Sequence, residues 1–291
     1  MTGSAAGVVA ITGAAGFVGS LLSERFASAG WSVIPLSRDA ANQRSAAVAF
    51  NLGDDLDPNV FRSRGATALV HCAYDFRPRS WSEIHRTNVV GSRKLFTAAH
   101  AGGVERVVAI STISAFPGCR SMYGRAKLNV EAAATEIGGH IVRPGLVFID
   151  EWTRAGGMFG ALTTSARARI VPLIDGGRHC QYLIHIDDLF GLLVRICAGD
   201  VEVHTPITAA GPRCWPMRRL LEQVARRQGS APQFVSVPWQ AVWLGLKAAE
   251  LVRVPVGYRS DSVISLVNQD PHPDFSTLRN LGVTAREFSV D

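Results

Sequence analysis

Residues 8–19 read VVAITGAAGFVG, an apolar β-branched run that breaks into glycines at Gly13, Gly16 and Gly19. This pattern predicts strand, tight turn and helix. The run Val8, Val9, Ile11 suits a parallel strand covered on both faces, which has no need to alternate polar and apolar residues. Gly13 permits the sharp turn, Gly16 lets a diphosphate approach the backbone, and Gly19 lets the following helix, Phe17 to Ala29, pack against the strand. The N–H groups at that helix start, around Phe17 and Val18, then face a phosphate. The spacing is G-x-x-G-x-x-G rather than G-x-G-x-x-G, so its position between a strand and a helix carries the reading of a dinucleotide site.

Length and composition agree. At 291 residues and 47% hydrophobic, the chain is long enough for one large α/β unit and a smaller appended region. Cys72, Cys119, Cys180, Cys197 and Cys214 are odd in number, scattered, and without a C-x-x-C pair. They are expected to be free thiols of a reducing cytoplasm, with no metal site. No basic segment followed by a long apolar one stands at the N-terminus, so no leader is expected. The net charge of +6 comes with arginines spread throughout. That suits an anionic small molecule better than nucleic acid, which would call for an aromatic-basic stripe.

A second strand, Trp31 to Leu36, ends in Ser37-Arg38-Asp39. An acidic residue at that strand end accepts hydrogen bonds from ribose hydroxyls, whereas a basic one pairs with a 2′-phosphate. Ser37 and Arg38 favour NADP, and Asp39 next door leaves NAD open. A third strand, Ala46 to Leu52, places Asn51 or Asp54 toward an adenine. A fourth, Ala66 to Ala73, ends in His71, Cys72 and Ala73, with His71 expected as a structural residue beside the cofactor. A long helix from Ser82 to Ala101 contains Asn88, and a strand follows at Arg106 to Ile110. Thr112 sits just past that strand end, where parallel sheets bind ligands. Tyr123 and Lys127, four apart among good helix formers, project from one helical face.

These motifs together resemble an extended short-chain dehydrogenase/reductase of the NAD-dependent epimerase/dehydratase family. The similarity rests on TGAAGFVG, HCA at 71–73, NVVG at 88–91, Ser111-Thr112, YGRAK at 123–127, RPGLVF at 143–148 and HIDDL at 185–189. It implies a doubly wound, mostly parallel Rossmann-like sheet with a small discontinuous C-terminal substrate domain. It also implies Thr112, Tyr123 and Lys127 as the catalytic set, Asn88 as a helix-shaping or cofactor-proximal residue, Pro144 at the cofactor, and a homodimer through the helices near Ser82 and Ser121. The loop between Thr112 and Tyr123 is short for the family, as is the whole chain.

The chemistry of such a set follows from its residues. Tyrosine titrates at about 10, so neighbouring positive charge from Lys127 and an oxidised nicotinamide is needed to favour the phenolate. Lys127 would also hold the nicotinamide ribose, and Thr112 the reacting oxygen. Residues 1–150 and 184–211 are expected to form the dinucleotide-binding domain, and 151–183 with 212–291 the substrate-binding portion. Gly156 and Gly157 are expected as a flexible wall, and Arg167, Arg169 or Arg178 as partners of an anionic group. Trp239 to Val254 is expected as a buried helix of the small domain, too short and too charged for a membrane span. Oxidation or epimerisation of a nucleotide-linked sugar is the first function expected. Reduction of a ketone or aldehyde on a non-nucleotide substrate is the alternative, with a non-catalytic dinucleotide sensor the third. Ile113 and Ser114, in place of an Asp-Glu pair after Thr112, disfavour dehydration.

Overall fold

The computed structural model describes residues 7–38, 47–252, 254 and 257–289. Seven strands form its centre: β1 (Val8–Thr12), β2 (Ser32–Ser37), β3 (Val48–Ala49), β4 (Ala68–His71), β5 (Arg106–Ile110), β6 (His140–Pro144) and β11 (Ile207–Ala209). They make one sheet of order β11-β6-β5-β4-β1-β2-β3, every neighbouring pair parallel. Helices α1 (Phe17–Ser28), α2 (Asn59–Arg62), α3 (Trp81–Ile84), α4 (Gly91–Ala101), α5 (Met122–Thr135) and α7 (Ile186–Ala198) connect and cover them. Two apolar cores lie on opposite faces, one holding Ile11, Leu22, Phe26 and Leu189, the other Leu36, Phe61, Leu69 and Phe96. Side chains of this size contribute about 1.5–3 kcal/mol each when fully buried. This is the doubly wound Rossmann-like arrangement expected.

Two boundaries differ from expectation. β3 spans two residues, so Asn51 and Asp54 lie in the turn beyond it, Asn51 donating to Asp54 at 3.4 Å. The helix expected from Ser82 to Ala101 is interrupted by a π-helical segment, His85–Val90, between α3 and α4. Asp39 lies outside the described residues, as does Ala46.

The remainder is built from interleaved pieces. β7 (Leu146–Phe148) pairs in parallel with β10 (Leu183–His185), β8 (Ile170–Ile174) with β13 (Gln233–Val237), and β9 (Cys180–Gln181) runs antiparallel to β12 (Trp215–Pro216). A third core of Phe159, Leu173, Leu220, Val224 and Phe288 joins them to α6 (Gly157–Ser165) and α8 (Met217–Arg227). α9 (Trp239–Leu251), α10 (Ser260–Val267) and α11 (Ser276–Asn280) complete the chain.

Two expectations fail here. Cys180 and Cys214 form a disulfide, because the β9–β12 pairing brings together residues separated by 34 positions. The cysteines therefore give no sign of a reducing compartment. α9 has no buried residue, so it is a surface helix and not a core one. Among the described residues, no helix is long and apolar enough to cross a membrane.

Candidate active site

The glycine turn after β1 is held by its own backbone. Gly13 adopts φ +66°, and a methyl group on Gly19 would stand 2.2 Å from the Gly13 carbonyl oxygen. Only glycine lets α1 approach β1 this closely. Gly16 caps α1 without a side-chain hydrogen bond, and the first turn carries no acidic residue. The positive helix end around Gly16, Phe17 and Val18 is thus left for an anion, which fits a dinucleotide diphosphate. Phe17 is covered by the backbone of Gly156, where a methyl group would meet its ring at 2.8 Å. Gly156 thus forms a wall against Phe17.

His71 is fully enclosed. Its Nδ1 lies 2.7 Å from Thr12 Oγ1 and its Nε2 2.8 Å from Ser92 Oγ, so it ties β1, β4 and α4 together. Burial, with the charge of Lys127 adding to it, holds its pKa down to about 3. A histidine so placed is a neutral strut and has no part in proton transfer near pH 7. Thr12 Oγ1 also accepts from the N–H of Ala73 at 3.2 Å, fixing the strand end. The Cys72 thiol is pushed up to about 12, chiefly by burial, and is inert as a nucleophile.

The segment after Ala73 is pinned by Asn88, whose side chain accepts from Asp75 N at 2.7 Å and donates to Asp75 O at 3.0 Å. Asn88 lies within the π-helical segment. Asn88 is therefore a positioning residue for residues 73–77. Arg38 is exposed at the end of β2, and its charge reaches Asp75. Ser37 is buried beside it.

Past β5 the chain splits its two hydroxyls between core and cleft. Ser111 donates to Glu131 at 2.5 Å, and Arg143 grips the same carboxylate at 2.8 and 2.6 Å, locking β5, α5 and β6 together. Pro144, buried at the end of β6, accepts from Ile113 N at 3.1 Å and so fixes the turn that carries Thr112. Thr112 Oγ1 accepts from Ser114 N at 3.2 Å, and its side chain stands near enough to Tyr123 to favour the phenolate. Burial is the larger influence on Tyr123 and raises its pKa to about 12. Lys127, 3% exposed, donates to the carbonyl of Ile110 at 2.7 Å, and burial lowers its pKa to about 8. Near pH 7 the site thus presents a neutral phenol, set to donate a proton, with a cation one helical turn behind it.

Two features of this site left no trace in the sequence. Tyr74 packs edge-on against the Tyr123 ring at 4.9 Å and Phe76 stacks on it at 5.7 Å, so the phenol is walled by aromatics. Asp261, from α10, accepts from the N–H groups of Met122 at 2.7 Å and Tyr123 at 3.0 Å, capping the helix that bears Tyr123 and Lys127. Arg259 holds the same wall by donating to the carbonyls of Phe76 and Pro78 at 2.9 and 2.8 Å. No spacing rule links a residue to a partner 138 positions away. Arg178 pairs with Asp175, and Arg167 and Arg169 are exposed at the corner leading into β8.

A parallel Rossmann-like sheet with a glycine turn at one strand end, and Thr, Tyr and Lys gathered at another, is an arrangement that suits a bound dinucleotide beside a proton donor. Residues 9–140 match the model of the NAD dependent epimerase/dehydratase family. A curated relative, the ceramide reductase of Caulobacter vibrioides, is 27% identical over 245 residues, covering 82% of this chain and 76% of the relative. The structure of MoeE5 in complex with UDP-glucuronic acid and NAD superimposes with a TM-score of 0.66 at 20% identity, covering 79% of this chain and 85% of that one. The UDP-glucose 4-epimerase of Thermus thermophilus, in complex with NAD, does so with a TM-score of 0.63 at 19% identity over 89% and 97%.

Proposed function

We propose that this protein is an NAD(P)-dependent reductase of a ketone or aldehyde on a largely apolar, non-nucleotide substrate. The observation that carries this reading is the aromatic wall of Tyr74 and Phe76 around Tyr123. An apolar wall favours a substrate that loses little hydration on entering, and leaves the carbonyl as the one polar group to be matched. Beside Thr112, a cavity of about 20 Å³ is lined by Ile113, Ser114, Tyr182, Gln269, Asp270 and Pro273. It holds about one water. The similarity to a ceramide reductase supports the same reading.

Residues 1–150 and 184–211 hold the cofactor in this proposal, and 151–183 with 212–291 face the substrate. A bound reduced nicotinamide supplies the hydride. Thr112 holds the carbonyl oxygen, and the neutral Tyr123 phenol donates the proton as negative charge develops there. Lys127 restores charge balance behind it. Arg38 selects NADP through its 2′-phosphate. The nucleotide-sugar reading is retained as a second one, because structural neighbours bind UDP-sugars. A homodimer through the helices beginning near Ser82 and Ser121 accompanies either.

The test is oxidation of NADPH and of NADH by the purified protein, with a long-chain 3-oxo-acyl amide or a UDP-hexose as substrate. Turnover of the acyl ketone, lowered about 10²- to 10⁴-fold in Tyr123→Phe with little change in KM, supports the proposal. Epimerisation of the UDP-hexose with a dinucleotide that stays bound overturns it.

A further inference from the structure

Helix α9 turns the wrong face outward for a helix in water. At 100° per residue its exposed non-polar positions Ala241, Leu244, Gly245, Ala248 and Leu251, with Val252 just past its end, form one stripe about 120° wide, flanked by exposed Gln240 and Lys247. Leu244, Leu251 and Val252 are 64%, 85% and 69% exposed. The opposite face, with Trp239, Trp243 and Leu246, is half-buried. The helix's one carboxylate, Glu250, is turned inward, where it accepts from Ser260 N and Oγ at 2.8 and 2.9 Å. Among the described residues of this helix, Lys247 is the one charged side chain exposed beside the stripe; it is half exposed and lies 3.5 Å from the Glu250 carboxylate.

We infer that this face of α9 docks on a phospholipid bilayer that contains anionic lipid. A helix face that is apolar at its centre, with a lysine at its margin and its own carboxylate turned inward, complements a bilayer interface in both polarity and charge. A second copy of the chain is a poorer fit. A 13-residue helix is about 20 Å long and about 10 Å wide, so the face offers roughly 200 Å², against roughly 800 Å² per partner in a stable dimer. A bilayer needs no matching shape and accepts an isolated stripe of this size. The C-terminal end of α9 also meets the segment that carries the aromatic wall of the site. Arg79 donates to the carbonyl of Glu250 at 3.3 Å, and Phe76, which stacks on Tyr123, is 60% exposed. The inference goes beyond the reductase reading and does not depend on it, since neither substrate nor turnover enters its test.

The full-length protein is centrifuged with sucrose-loaded vesicles of phosphatidylcholine, with and without phosphatidylglycerol. Wild type is expected to sediment with the anionic vesicles. Leu244→Glu/Leu251→Glu should bind at least tenfold more weakly while keeping its circular dichroism and its dinucleotide affinity. Lys247→Gln should weaken binding to anionic vesicles about fivefold and leave neutral vesicles unaffected. Val235→Glu, at an exposed apolar residue of β13, controls for general charge and should bind as wild type does. Wild type that stays in the supernatant, or equal binding by the double variant, overturns the inference. So does a dimer in sedimentation velocity that the double variant dissociates, because the face would then be a self-interface.

Discussion

Acid should destabilise this protein through His71, and the size of the effect follows from its burial. In the unfolded chain His71 takes up a proton near pH 6.5, whereas in the fold its pKa is about 3. Between those values the unfolded state holds more protons, so stability falls as pH falls from 6.5 toward 3 and is fully present above 6.5. At pH 5 the difference amounts to about 2 kcal/mol, from about 1.5 pH units below the unfolded value at about 1.4 kcal/mol per unit. His71→Asn tests this, because its amide can still meet Thr12 Oγ1 in place of Nδ1 but does not titrate. The variant starts less stable at pH 7, since Ser92 loses its ring partner. Urea unfolding at pH 7 and pH 5 should show wild type losing about 2 kcal/mol more than the variant over that interval. The buried histidines His140 and His185, whose pKa values are also lowered by burial, are present in both proteins and cancel in the comparison. Equal losses in the two proteins would refute the assignment of His71 as a neutral strut.

Arg38→Ala should weaken NADP binding about ten-fold or more and leave NAD nearly unchanged, read by fluorescence titration of the reduced forms, because a charge-assisted contact to a 2′-phosphate contributes about 1.5–3 kcal/mol. Equal titrations of both dinucleotides by wild type would rule that role out. Asp261→Ala removes a two-point cap from α5 and should cost about 1–2 kcal/mol in thermal or urea unfolding. It should also reduce kcat more than KM, since Tyr123 lies in the first turn it caps. An unchanged kcat in a destabilised variant would limit Asp261 to a structural role.

The sequence by itself determined those parts of the protein in which neighbours along the chain are also neighbours in space. The glycine turn is local, so Gly13, Gly16 and Gly19 announced the strand, the turn and the helix that follows. The pair Tyr123 and Lys127 is one helical turn apart, and Thr112 is marked by the strand end before it. Apolar β-branched runs marked β1, β4 and β5 because strands covered on both faces have no polar alternation to interrupt them. Tertiary structure decided whatever depends on contacts between distant segments. Asp261 reaches α5 from 138 residues away, and Cys180 meets Cys214 only because β9 and β12 pair. The neutral state of His71 depends on Thr12 and Ser92 arriving from two other elements. The apolar composition of α9 suited a core equally well, and only the packing of its opposite face on the rest of the chain decided that Leu244 and Leu251 face outward. Composition records how much apolar surface a helix has, but which side meets the protein is set by the elements that arrive against it.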